Sequence, residues 1–64
     1  MKFRVTYERI TTGSSHYLYS SEIIEVKGIV HAHKRAHDHL YELRKLTEHS
    51  LRIDKILFMP EVDD

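Results

Sequence analysis

Six histidines stand in this chain of 64 residues, and four of them fall in the stretch HAHKRAHDH, residues 31–39. Imidazoles at this density point first to metal binding or proton transfer. His33 and His37 are four apart, so on a helix both rings share one side and could fill two coordination positions. His31 and His33 are two apart and share a face only in an extended chain, so no single backbone conformation uses all four. A catalytic zinc site also needs a third ligand and a general base, as in HExxH, whereas Asp38 here lies directly beside His37. The metal reading therefore reduces to the pair His33 and His37, and a solvated helix face accounts for the same residues.

Nucleophilic chemistry has less to work with. The chain has no cysteine, and Ser14, Ser15, Ser20, Ser21 and Ser50 all lie outside a GxSxG context. Gly13 and Gly28 are the only glycines, so there is no phosphate-cradling loop. The expectation is a protein without catalytic residues and without a cofactor, which leaves binding roles. For nucleic acid, Lys2, Arg4, Lys27 and His31 could track phosphates while Tyr17 and Tyr19 stack on bases. For a protein partner, Tyr41 lies off the apolar stripe of its segment between His37 and Lys45, and exposed tyrosines are frequent interface anchors. Tyr17 and Tyr19 offer a second such patch.

These residues must be positioned by few elements. Lys2 to Ile10 alternates as a strand, with Phe3, Val5 and Tyr7 on the inward side. Thr11, Thr12, Gly13, Ser14 and Ser15 form a turn-rich cluster. His16 to Tyr19 either extends the hairpin ladder or stands as an exposed aromatic loop. From Glu22 the period-2 pattern predicts a strand reaching Ala32, with Ile24, Val26, Gly28, Val30 and Ala32 on one side, and with Ile29, Lys27 and His31 on the other. Gly28 in that strand predicts a bulge or a close backbone approach. From about His33 the spacing of Ala36, Leu40 and Leu43 predicts a helix ending near Glu48 or His49, with an earlier start near Ile29 as the rival boundary. Leu51 to Met59 reads as the last strand, in which a bulge near Asp54 and Lys55 would bring Leu51, Ile53, Ile56 and Phe58 onto one face. Pro60 ends it.

The expected fold is α+β, a small three-stranded and mostly antiparallel sheet with one helix on one face, in the order strand, strand, helix, strand. Residues 1–60 form the single domain and residues 61–64 a frayed acidic tail. One helix covers one face only, so the opposite face is expected to show Lys2, Arg4, Lys27, His31, Ile23, Ile29 and Leu57, where a target or a second copy could dock.

Composition limits the choices further. Ten basic and ten acidic residues cancel, which argues against a general polyanion binder. Glu61, Asp63 and Asp64 hold three of the acidic groups, which leaves seven against ten basic residues in 1–60. No apolar run approaches the roughly 20 residues of a membrane helix, and the charged, alternating MKFRVTYERI differs from a signal segment. A cytoplasmic protein without membrane contact is the expectation.

The segments KFRVTYE, IIEVKGIVHA leading into an Ala36-centred helix, and LRIDKILFMP together resemble small phage-encoded accessory proteins of strand–strand–helix–strand order, among them inhibitors of host RNA polymerase from T7-like phages. The resemblance implies a host-takeover protein that binds and blocks a macromolecule, and it carries over no contact residue. The functional expectation is a small non-enzymatic protein-binding module, with Tyr17, Tyr19, His37, Tyr41 and Lys45 as first contacts and the open sheet face next. The alternatives are a nucleic-acid binder using that basic face and a histidine-cluster metal binder.

Overall fold

A computed structural model describes residues 1–11 and 16–60. The turn expected at Thr12, Gly13, Ser14 and Ser15 and the tail expected at 61–64 lie outside the described residues. The elements are β1 (Lys2–Ile10), β2 (His16–Glu25), α1 (Ile29–Thr47) and β3 (Leu51–Met59). They form one sheet of order β2-β1-β3, with β1 in the middle and antiparallel to both neighbours. The two outer strands therefore run parallel to each other, and α1 carries the chain from one to the other across β1.

β1, the central strand, has the cleanest alternation in the chain. Phe3, Val5 and Tyr7 are fully buried beneath the helix, while Lys2, Arg4, Thr6 and Glu8 point to the other face. β3 meets the same core through a bulge. Thr6 pairs with Lys55 and Tyr7 with Ile53, so Asp54 is the extra residue, and Leu51, Ile53 and Ile56 all turn inward as the spacing predicts. Phe58 shares this face and meets Phe3 edge-on at 5.6 Å, but it lies on an edge strand and stays 53% exposed. A second irregularity falls in β2, where Tyr7 pairs with Ser20 and Glu8 with Leu18, leaving Tyr19 as the additional residue. Residues 16–19 thus continue the hairpin ladder.

The strand expected over residues 22–32 is corrected. β2 ends at Glu25, and the helix begins at Ile29, the rival boundary. The reason is packing. Ala32 and Ala36 are completely buried one turn apart, and with Leu40 and the partly buried Leu43 they form the stripe against the sheet. Their small side chains let the helix backbone approach closely. Val30, expected inside a strand, is instead on the outer helix surface and 76% exposed. Gly28 is no bulge but the helix N-cap, fully extended at φ −179°, with no side-chain cap bond and open space around its Cβ position. The helix ends where Glu48 takes the left-handed conformation, φ 58°, and donates its N–H to Arg44 O at 2.9 Å. Thr47 Oγ1 donates to Leu43 O at 2.7 Å and accepts from His49 N–H at 3.2 Å, which closes this end.

The helix lies over β3 and β1, so its flank and the inner side of β2 border a cleft. Among the described residues no helix is long and apolar enough to cross a membrane.

Candidate functional site

Two surfaces bring functional groups together. The first is the sheet face opposite the helix. By register, Ile23, Arg4 and Leu57 form one row across the three strands, followed by Ser21, Thr6 and Lys55, with Lys2 beyond one end and Leu18 and Glu8 toward the other. Ile23 is 56% and Leu57 48% exposed, so an apolar side chain flanks Arg4 on each side. Lys2 and Arg4 stand where the alternation places them. Lys27, Ile29 and His31 do not: with β2 ending at Glu25, Lys27 falls in the turn, and Ile29 and His31 fall on the helix.

Glu8 sits almost buried in this face. Its Oε1 accepts from Arg52 Nε and lies 3.2 Å from His16 Nδ1. The Arg52 hydrogen bond, aided by His16 and opposed by desolvation, holds the Glu8 carboxyl below the ordinary glutamate value. Arg52 Nη2 also lies 3.2 Å from His16 Nδ1. A ring without a proton on Nδ1 accepts there from Arg52, whereas a ring carrying that proton donates to Glu8.

The second surface is the cleft of about 460 Å³ between α1 and β2, lined by Glu22 and Val26 on one side and His31, Arg35, His39 and Glu42 on the other. At its base the Tyr7 hydroxyl donates to Glu22 Oε1 at 2.9 Å. Glu22 Oε2 is 3.7 Å from His39 Nε2, and the His39 ring meets the Tyr7 ring edge-on at 5.4 Å. Burial, and then the bond to Glu22, push the Tyr7 phenol well above its ordinary value and keep it a donor. The carboxylate is thus hydrogen-bonded to the central strand through Tyr7 and faces one imidazole of the helix across the cleft. Among the described residues no three histidine or acidic side chains are grouped to hold a metal ion. His33 and His37 are exposed on the outer helix surface.

His37, Tyr41 and Lys45 follow one another at helical spacing on that surface, and Lys45 Nζ sits 5.0 Å from the centre of the Tyr41 ring. Tyr17 pairs with Arg9, which faces the helix side, and Tyr19 meets His49 edge-on at 6.0 Å beyond the helix end. Both tyrosines are therefore on the helix side, away from Lys2 and Arg4. Glu22, Glu8, His16, His39 and Arg52 were not singled out by sequence reasoning. The one available signal was Glu22, an acid in alternation with the inward Ile24 and Val26. Glu8 and Arg52 are 44 residues apart and carry no local signal of their pairing.

Comparison of this chain with protein-family models, with curated proteins and with solved structures gives no match.

Proposed function

We propose that this chain is a small protein-binding module that seats a partner on the open face of its sheet and acts by occupying that partner's surface, as a phage-encoded inhibitor of a host macromolecule would. The observation that carries this reading is the row Ile23, Arg4 and Leu57, two exposed apolar side chains on either side of a guanidinium at the centre of an uncovered sheet. Apolar anchors around an arginine are the usual composition of an interface centre. Among the described residues the cations Lys2, Arg4 and Lys55 have no ion pair within this face, while its carboxylates Glu8 and Glu25 are engaged by Arg52 and by the N-terminal amine. A partner with acidic and apolar surface is the complement. Face-to-face contact with a second copy would oppose like charges.

The same cations favour nucleic acid as the second reading, through phosphate contacts alone, because Tyr17 and Tyr19 are on the other side of the sheet and cannot stack on bases held here. The helix row His37, Tyr41 and Lys45 is a secondary contact.

Tagged protein incubated with bacterial lysate, with and without nuclease, separates the two readings. A stoichiometric protein that survives nuclease and is lost from an Arg4→Glu, Leu57→Asp variant of unchanged circular dichroism is the expected result. Retention by that variant removes the sheet face from the interface. Loss on nuclease treatment transfers the role to nucleic acid, with affinity then falling steeply as salt rises.

A further inference from the structure

β2 is an edge strand, and the hydrogen bonds of its inner side tell which backbone groups its outer side leaves open. The Met1 amine donates to Val26 O at 2.8 Å and Val26 N–H to Met1 O at 2.9 Å, so these two residues point at each other. In an antiparallel ladder such pairs alternate with pairs whose N–H and C=O point away. Through the register, Glu25, Ile23 and Ser21 therefore direct both groups to the free edge. At the other end Ile10 donates its N–H toward β3, to Ser50 O at 2.8 Å. Its β2 neighbour His16 consequently faces the free edge as well, and so does Leu18.

We infer that two copies of this chain join edge to edge through β2, about a two-fold axis at Ser21, to make one continuous six-stranded sheet. Ser21 then exchanges both hydrogen bonds with the second copy's Ser21. Tyr19 is the extra residue of the bulge, so Ile23 meets the second copy's Leu18 and Glu25 meets its His16. All of these residues have outward backbone groups, so the pairing satisfies hydrogen bonds at each of them.

The side chains agree with this register. Leu18, 70% exposed, and Ile23 pair on the open face. Tyr17 and Ile24 pair on the helix side. A carboxylate meets an imidazole at each end, and the small Ser21 stands at the axis. Moving the axis to Ile23 would leave Leu18 and His16 unpaired.

The other edge is guarded. Leu51 O, which faces outward on β3, already accepts from Arg44 Nε at 2.8 Å, and β3 carries Arg52, Asp54 and Lys55, whereas β2 has no lysine, arginine or proline. The helix lies over β1 and β3 and leaves the β2 edge accessible.

The test is the mass of the purified chain in solution by sedimentation equilibrium. The expected mass is twice 7.7 kDa. Ser21→Pro removes an N–H that serves only the second copy, so this variant keeps its circular dichroism and its mass halves. Leu18→Lys, which leaves the backbone intact, halves it too. The chain has no cysteine, so a single Ser21→Cys substitution reports the axis directly, and a short thiol cross-linker joins two copies there but not at Lys55→Cys. A wild-type mass of one chain up to the millimolar range, a dimer unaffected by both variants, or preferential cross-linking at residue 55 would overturn the inference.

Discussion

Glu8 and Tyr7 are neighbours on β1 that face opposite sides of the sheet, and each carries a proton equilibrium displaced by its surroundings. The Glu8 carboxyl, held by Arg52 and His16, titrates below its ordinary 4.5. Between these two values the unfolded chain binds the proton and the folded chain does not, so the stability from Glu8 is complete above pH 4.5 and declines as pH falls through the lower, folded value. Glu8→Gln is expected to flatten this acid limb in urea titrations at successive pH values. Tyr7 behaves in the opposite sense. Its phenol is displaced upward from 10.0, so above pH 10 the unfolded chain loses a proton that the folded chain keeps, and stability falls as pH rises. Tyr7→Phe is expected to lose about 1–2 kcal/mol at neutral pH, from the bond to Glu22. It should also show a shallower alkaline decline in the same titrations. Neither group was legible as special in the sequence, because what displaces each is contributed by strands or a helix distant along the chain.

At the scale of elements, the helix start shows what a period can and cannot decide. Ile29 and Val30 are β-branched and continue the alternation of Ile24 and Val26, so the stretch reads equally as strand. The helix wins because Ala32 and Ala36 fill the closest approach to the sheet. Its N-terminus has little local support, with a glycine cap, no side-chain cap bond and no acidic residue in the first turn. Gly28→Asp would supply a cap acceptor and a charge favourable to the helix dipole, and an extended φ with free space at Cβ admits the side chain. The expected gain is about 1 kcal/mol, seen as a melting temperature raised by about 4–8 °C.

At the scale of the whole molecule, a chain of 64 residues with one helix buries one side of its sheet and leaves a row of apolar side chains and a strand edge facing out. The uncovered face and the uncovered edge are separate surfaces. In the two proposals the edge serves a second copy through backbone hydrogen bonds and the face serves a partner through side chains. A dimer joined at β2 would present both faces side by side, with two Arg4 rows on one sheet, so a partner of repeated or two-fold symmetry would bind with the advantage of two linked sites.

The alternation of β1, the inward set Phe3, Val5 and Tyr7, the Ala36, Leu40 and Leu43 stripe, and the bulge that reconciles Leu51 and Ile53 with Ile56 were all determined by the sequence alone. Each is a local matter, since a side chain's direction follows from the period of its own element. The tertiary structure alone decided that β1 is central, that Lys27, Ile29 and His31 leave the sheet face, that Tyr7, Glu22 and His39 meet, and that Glu8 finds Arg52. Strand pairing is made by backbone groups that every residue except proline carries alike. Which strands lie together, and therefore which distant side chains become neighbours, is settled only when the whole core packs.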